Sequence, residues 1–210
     1  RPTDPVARVR QIALLSALAF LVPATAFADN YEIDPMHSQV GFAVRHAMVS
    51  TVHGRFDKFS GTLEINDKRP EDDKIVVEID ATSINTGVDK RDGHLKSPDF
   101  FDVAKFPKIT FVSKIVRATE KGKLEVIGDF TMHGVTKSVV LAVDTVSPDV
   151  VNPMDKLKHR GAHATTTINR QDFGVKWNVP LGKGAEEVMV GNDVKIEIDL
   201  EVVEKKAEKK

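Results

Sequence analysis

The segment Val194-Lys195-Ile196-Glu197-Ile198-Asp199-Leu200-Glu201-Val202 alternates strictly between apolar and charged residues. Successive side chains of a β-strand point to opposite faces, so this pattern predicts a long strand with one buried and one solvated face. No glycine or proline interrupts it. Because antiparallel sheets commonly bury one face and expose the other, the segment predicts an antiparallel sheet.

The same two-residue period recurs along most of the chain after residue 28. Segments that carry it are 40–45, 59–65, 75–80, 109–115, 124–130, 139–143 and 166–168. Turn-forming residues separate these segments at 66–70, 120–123, 133–134 and 147–161. Short connections of this kind favour pairing between strands that are neighbours in sequence. Together the segments predict about eight antiparallel strands.

A sheet of this size must protect its edge strands from pairing with other chains. Closing the sheet into a barrel removes the edges altogether, whereas a two-layer sandwich is the competing architecture. The strands around 52–65 and 108–118 look longer than the usual five or six residues, which favours the barrel. We therefore predict an all-β fold, an extended antiparallel β-barrel of about eight strands with one short helix or lid segment.

Residues 91–111 depart from the alternating pattern and hold four of the chain's eleven phenylalanines. Paired aromatic residues beside an aspartate and a histidine, on a connection between two strands, indicate a lid or the mouth of a cavity. Within this stretch, residues 97–101 begin with a serine suited to an N-cap, followed by a proline at the first helical position. The one short helix is predicted there.

Residues 1–28 have the composition of a secretory signal peptide. Arg8 and Arg10 precede an apolar run at 12–22, and Ala26-Phe27-Ala28 fits an A-x-A cleavage site. A membrane anchor is the alternative, but the run has about 11 residues where about 20 are needed to span a bilayer. We expect export to the periplasm, a domain at 29–204, and a disordered basic tail at 205–210.

Composition excludes several classes of function. The formal net charge is −1, with 30 Lys and Arg against 31 Asp and Glu. Without a block of basic residues in the predicted domain, a nucleic-acid partner is not expected. The chain has no cysteine, which excludes disulfides, thiol chemistry, cysteine-ligated zinc and iron–sulfur clusters.

The sequence offers little support for an enzyme. His37 and Ser38 are adjacent and would point to opposite faces of a strand, and no G-x-S-x-G motif occurs. The seven histidines are scattered; His159 and His163 have helical spacing, but Gly161 lies between them in a loop entering a strand. We predict no catalytic residue, no metal and no cofactor. A metal-dependent or hydrolytic enzyme that uses these histidines is the alternative.

Several short motifs occur in an order and spacing that resemble a known family. They are Asp34-Pro35-Met36-His37-Ser38, the stretches 40–46 and 54–61, the stretch 92–102 with Phe106-Pro107, the stretch 128–136, and the stretch 167–174. By these motifs the chain resembles the YceI-like, polyisoprenoid-binding family over essentially all of 29–204. The resemblance implies an elongated, lipocalin-like barrel in the periplasm that holds an isoprenoid or similar long-chain lipid inside.

Physical considerations agree with a slim apolar ligand. A barrel of about eight strands has just enough interior for its side chains or for one small ligand. Candidate wall residues, chosen for their size and strand parity, are Phe42, Val44, Phe59, Leu63, Phe111, Phe130, Phe173 and Trp177. Parity does not tell which face points inward, so the alternative that these residues fill a solid core stays open.

The lid stretch supplies the remaining candidates. Phe100, Phe101 and Phe106 are predicted to contact the ligand, or otherwise to close one end of the barrel. Asp92 and His94 are candidates for binding a polar head group, with Arg91 or Arg45 assisting a diphosphate. The alternative is that these two residues hold the loop by bonding its own backbone.

The resulting prediction is a non-enzymatic periplasmic carrier or store for a hydrophobic chain. A polyprenyl phosphate or a prenyl quinone is the expected kind of ligand. The family resemblance also suggests a homodimer, and a lipid carrier leaves room for transient contact with a membrane.

Overall fold

The computed structural model describes residues 28–182 and 188–206, which form one antiparallel sheet of twelve strands with a single α-helix. The predicted signal peptide up to residue 27 lies outside the described residues. Among the described residues, no helix is long and apolar enough to cross a membrane. The elements are β1 (Asp29–Ile33), β2 (Gln39–His46), β3 (Ser50–Phe56), β4 (Phe59–Ile65), β5 (Lys74–Asp80), β6 (Ile84–Asn85), α1 (Asp89–Lys96), β7 (Lys108–Ala118), β8 (Leu124–Met132), β9 (Val135–Val146), β10 (Val150–Val151), β11 (Lys158–Asn169) and β12 (Val190–Glu204).

Eight of these strands close into a ring in the order β1, β4, β5, β7, β8, β9, β11 and β12. The ring closes because β12 pairs with β1 on one side and with β11 on the other. The pairing of β11 with β12 is long, running from His159 opposite Val203 to Asn169 opposite Asp193. The predicted eight-stranded antiparallel barrel is confirmed, and the sandwich alternative is wrong.

The other strands extend the wall at both ends of the ring, with β2, β3 and β6 where β12 begins and β10 where β12 ends. One edge of β12 pairs with two strands in succession. The end of β12, from Val202 onward, pairs with β1, and its first half pairs with β2, where Ile196 lies opposite Phe42. Strand β3 follows β2 in a hairpin, and the two-residue strand β6 pairs with β3. The two-residue strand β10 pairs with the start of β11. The two-residue strands β6 and β10 carry too little pattern to be recognised in the sequence.

The predicted position of the helix is wrong. Helix α1 ends at Lys96, and Ser97 is its C-cap residue rather than an N-cap. The Ser97 hydroxyl donates to the carbonyl of His94 at 2.7 Å, and Pro98 disfavours a helical conformation at the residue before it. The acidic residues Asp89 and Asp92 lie in the first turn of α1, where they complement the helix dipole.

Two local predictions differ from the structure. The predicted loop at 147–161 contains β10 and the start of β11, which begins at Lys158. His37 and Ser38, predicted to lie on a strand, belong to the turn between β1 and β2. By contrast, the turn predicted at 133–134 is present and tight, with positive φ angles at His133 (52°) and Gly134 (74°).

Candidate functional site

An elongated cavity runs through the barrel. Its volume is about 310 Å³, at the lower end of the range of about 300–1,000 Å³ that is usual for ligand pockets. Its wall is formed by β2, by Phe56 of β3 and by every strand of the closed ring except β1. The interior is therefore a hollow, not a completely filled core.

Strand alternation determines which residues line the cavity. On β12, every second residue from Val194 to Val202 faces it, and on β5 the residues Ile75, Val77 and Ile79 do so. The intervening residues of both strands point outward and are largely charged. The two-residue alternation that predicted the strands therefore places apolar side chains along almost the whole cavity wall.

Six lining residues carry a polar side chain. They are Asn66, Asp67, Asp73, Arg160, Thr166 and Arg170. Four of them lie at the end of the barrel away from α1, which we call the polar end: Asn66, Asp67, Asp73 and Arg160. The middle of the cavity thus offers a ligand almost no hydrogen-bonding groups, and its recognition there depends on shape and apolar area.

The opposite end is covered by residues 89–106, which we call the lid. Leu95, Phe100 and Phe101 of the lid face the cavity. The backbone of the lid is closely hydrogen-bonded: the N–H of Phe101 donates to Leu95 O at 2.9 Å, and that of Val103 donates to Lys96 O at 3.1 Å. The lid is thus a folded turn structure that carries aromatic side chains over the cavity.

Seven of the thirteen predicted ligand-binding residues line the cavity. These are Phe42, Val44, Leu63, Phe100, Phe101, Phe111 and Phe130. The other six, Phe59, Asp92, His94, Phe106, Phe173 and Trp177, are not among the lining residues. A ligand-binding role for the first group stays a prediction, whereas contacts of the second group indicate packing roles.

Asp92 and His94 hold the lid together. The carboxylate of Asp92 accepts hydrogen bonds from the backbone N–H and the hydroxyl of Thr86. The His94 ring lies 2.8 Å from Asp99 Oδ2 through Nε2 and packs edge-on against Trp177, with ring centroids 5.0 Å apart. The structure thus favours the alternative in which both residues organise their own loop.

The arginines proposed to assist a phosphate are also engaged locally. Arg91 donates through Nη2 to Thr86 O at 2.8 Å, and Arg45 donates to Met48 O at 2.8 Å. Both guanidinium groups therefore stabilise turns near the lid end of the barrel.

The aromatic residues outside the cavity pack against neighbouring elements. Phe173 is 2% exposed and meets Phe130 edge-on at 5.4 Å between ring centroids. Phe106 packs on the imidazole of His133 at 4.7 Å. Phe59 and Trp177 are half-buried against the core cluster at the lid end. Side-chain size and parity alone could not separate these residues from the cavity wall.

Arg160 organises the polar end. It is 7% exposed and binds both carboxylate oxygens of Asp67, at 2.6 and 3.0 Å, while its Nε donates to Asp149 at 2.9 Å. Tyr31 lies beneath the guanidinium and donates its hydroxyl to Asp149 at 2.9 Å. Hydrogen bonds from Arg160 lower the pKa of Asp67, and burial raises the pKa of Tyr31. This network closes one end of the cavity.

Arg170 is a second buried arginine, nearer the lid. It is 4% exposed, and burial lowers its pKa. Its guanidinium donates to the carbonyls of Val175 at 2.8 Å, Gly191 at 2.9 Å and Val190 at 3.2 Å. These bonds fasten the start of β12 to the turn at Arg170–Phe173.

Arg160, Arg170 and Asp73 were not predicted from the sequence. The sequence does contain a signal for Arg160. It lies an even number of residues from Ala164 and Ile168 on β11, so it shares their inward-facing side of the strand. A charged residue at an inward position indicates a buried ion pair or a polar end. Arg160 was overlooked because that stretch was read as a loop.

Asp73 makes stability depend on pH. Its carboxylate accepts from the backbone N–H of Asn66 at 2.6 Å, and burial raises its pKa to about 6. The folded protein therefore holds this proton more tightly than the unfolded chain, whose aspartate pKa is about 3.9. Between about pH 4 and 6, rising pH removes the proton and lowers the free energy of unfolding.

We expect Asp73→Asn to be more stable than the wild type at pH 7 by about 1 kcal/mol, allowing for solvent screening. The asparagine oxygen can still accept from Asn66, so the change removes only the charge. Near pH 4 the two proteins should have similar stability. Urea unfolding at several pH values checks this, and parallel curves for the two proteins would contradict it.

Comparison with known proteins identifies the family. The model of the YceI-like domain matches residues 31–202. A UPF0312 protein of Staphylococcus aureus (strain MSSA476) is 40% identical over 174 residues, covering 82% of this chain and 96% of the relative.

Solved structures share the fold. BcnA of Burkholderia cenocepacia has a TM-score of 0.69 at 23% identity, covering 80% of this chain and 98% of that one. A polyisoprenoid binding domain from Saccharophagus degradans has a TM-score of 0.61 at 18% identity, covering 85% and 99%. With the matched domain spanning nearly all of the barrel, the chain belongs to the family of YceI-like domain proteins.

Proposed function

We propose that this protein binds one long-chain lipid, an isoprenoid such as a polyprenyl phosphate or prenyl quinone, inside its barrel. The observation that carries the proposal is the apolar cavity that extends from the lid to the polar end. A polyisoprenoid binding domain of the same fold is consistent with this class of ligand.

The shape of the cavity suits a chain better than a compact molecule. Val194 and Val202 both line it and lie eight residues apart on β12. At about 3.3 Å per residue this is about 26 Å along the strand. Because barrel strands tilt by about 35–45°, the corresponding length along the axis is about 20 Å. A slim, extended ligand fits such a space.

The apolar wall can supply enough binding free energy. Burying one methylene contributes about 0.8 kcal/mol, so about 20 such groups would contribute about 16 kcal/mol. This exceeds the cost of association, about 4–15 kcal/mol. Affinity thus needs few polar contacts.

The polar end is expected to limit the length of the bound chain. Arg160 donates there to Asp67 and Asp149, so a hydrocarbon tail entering this region would displace charge-assisted hydrogen bonds. The tail therefore stops before this network, and the lid covers the other end of the ligand. Chain-length selectivity follows from the distance between these two ends.

A carrier or store, without catalysis, agrees with the placement of the reactive residues. The Ser38 hydroxyl donates to Glu201 O at 3.2 Å and accepts from Glu201 N at 2.9 Å, so it is hydrogen-bonded to the backbone of β12. The signal-like composition of residues 1–28 supports a location in the periplasm, where such a carrier would exchange lipid with a membrane.

The test is native mass spectrometry of the protein purified from the periplasm, followed by organic extraction of any bound molecule. We expect one long-chain isoprenoid or related lipid per chain, released on denaturation. An empty protein that also takes up no polyprenyl phosphate, no prenyl quinone and no fatty acid in vitro would overturn the proposal.

A further inference from the structure

A groove on the outer surface of the barrel gathers histidines and carboxylates that lie far apart in the sequence. It is lined by His37, His159, Gly161, His163, Asp199 and Glu201, and we call it the outer groove. Its strand residues alternate with residues that face the interior: Leu200 and Val202, on either side of Glu201, line the apolar cavity. The outer groove and the apolar cavity thus lie on opposite faces of β11 and β12, and residues of the wall such as Gly161 and Leu200 line both.

Three possible metal-ligand atoms meet beside this groove. One ligand atom each of Asp34, His37 and Glu201 lies within 4.8 Å of the other two. The backbone holds these residues in place, because Asp34 N–H donates to Glu201 O at 2.9 Å and Glu201 N–H donates to Ser38 Oγ at 2.9 Å. The turn at 34–38 is thus fastened to β12, and the three side chains converge.

The two carboxylates are oriented by further hydrogen bonds. Asp34 Oδ1 accepts from the N–H of Met36 at 2.9 Å, which leaves Oδ2 beside His37 Nδ1 at 2.7 Å. Glu201 Oε1 lies 2.7 Å from His159 Nδ1. The other nitrogen of His159 lies 2.8 Å from Asp155 Oδ2. Ligating carboxylates in metal sites are commonly held by outer residues in this way.

The ion-pair partners of Asp34, Asp155 and Glu201 are imidazoles, His37 and His159. A hydrogen bond to Asp34 raises the pKa of His37, and hydrogen bonds to Glu201 and Asp155 raise the pKa of His159. A bound cation therefore takes the place of ring protons in compensating the carboxylate charge. Gly161 lies opposite Glu201 on β11 and adds no side chain to the groove, so the space above the cluster stays open.

We propose that Asp34, His37 and Glu201 bind a divalent cation of the zinc class, with His159 and Asp155 as positioning residues. One imidazole and two carboxylates suit Zn²⁺, which often takes three protein ligands and leaves one position to water. Mg²⁺ and Ca²⁺ prefer all-oxygen sites, so the histidine discriminates against them. The site is independent of the lipid proposal.

The test is isothermal titration of zinc chloride into the metal-free protein, with and without a tenfold excess of calcium chloride. We expect one zinc per chain, and we expect calcium not to displace it. His37→Ala and Glu201→Gln should each weaken zinc binding at least tenfold, and His159→Phe should weaken it about 10–100-fold through loss of the outer contact.

His53→Ala is the matched control, because His53 is exposed on β3 and lies outside the outer groove. It should bind zinc like the wild type, and circular dichroism should show that all variants are folded. Absence of zinc binding, or equal binding by the wild type and His37→Ala, would overturn the proposal. Displacement of zinc by calcium would overturn the assigned class of cation.

Discussion

Ala164→Phe is expected to reduce lipid retention at least tenfold while the barrel stays folded. Ala164 lies in the middle of β11 and faces the cavity, where it packs in the cluster of Phe111 and Val143. A phenyl ring at this position would project into the path of a threaded chain. Because the cavity is hollow there, the ring can be accommodated with less strain than in a filled core. The lipid content of the purified variant, measured by native mass spectrometry, checks this.

Ala142→Phe is the matched control for this experiment. Ala142 is exposed and lies on β9, opposite Thr165, the residue after Ala164. The same substitution there adds a ring to the outer face and should leave lipid retention unchanged. If Ala164→Phe retains as much lipid as Ala142→Phe, the ligand does not occupy the middle of the cavity.

Phe173→Ala is expected to lower the free energy of unfolding by about 3–5 kcal/mol, the usual cost of removing a fully buried phenylalanine. Phe173 is 2% exposed and packs on Phe130. Its carbonyl also lies 3.2 Å from His133 Nδ1, so the turn that carries it is fixed to the β8–β9 hairpin. Guanidinium unfolding followed by circular dichroism measures the loss.

Phe106→Ala provides the comparison, because Phe106 was also predicted to bind the ligand and also lies outside the cavity. It is only half-buried, against His133, so the same substitution should cost about 1–2 kcal/mol. Both variants should keep their lipid under native conditions. A Phe173→Ala variant of wild-type stability that has lost its lipid would show that Phe173 contacts the ligand instead.

Much of the fold was predictable because burial follows strand parity. Val40, Phe42 and Val44 alternate with small or charged residues, and all three line the cavity in the structure. Sequence alternation predicts burial because, in a strand, a side chain that points inward has neighbours that point outward. Of the six wall candidates on strands, all but Phe59 therefore line the cavity, and their contact with a ligand stays a prediction.

Irregular segments were predicted less well. The aromatic content of the lid was correctly connected with the cavity, since Phe100 and Phe101 face it, but the helix was placed after its true end at Lys96. Helix α1 has no apolar period, and its N-cap Val88 makes no side-chain cap. Local sequence signals therefore favoured Ser97 as the N-cap of a helix, whereas in the folded lid Ser97 is the C-cap of α1.

Local sequence could not reveal contacts between distant residues. Arg160 and Asp67 are 93 positions apart, and His159 and Glu201 are 42 apart. Both pairs arise only because β11 and β12 close the ring and bring the ends of separate hairpins together. The polar end and the outer groove therefore form only when the barrel closes.

The sequence by itself determined the all-β class, the antiparallel alternation, the family resemblance and the aromatic lid, because these depend on the order of neighbouring residues. The tertiary structure alone decided that the interior is hollow, that Phe173 packs outside it, and that Arg160 closes one end. The physical reason is that cavity shape and ion pairing depend on distances across the barrel, which are set by strand register and closure.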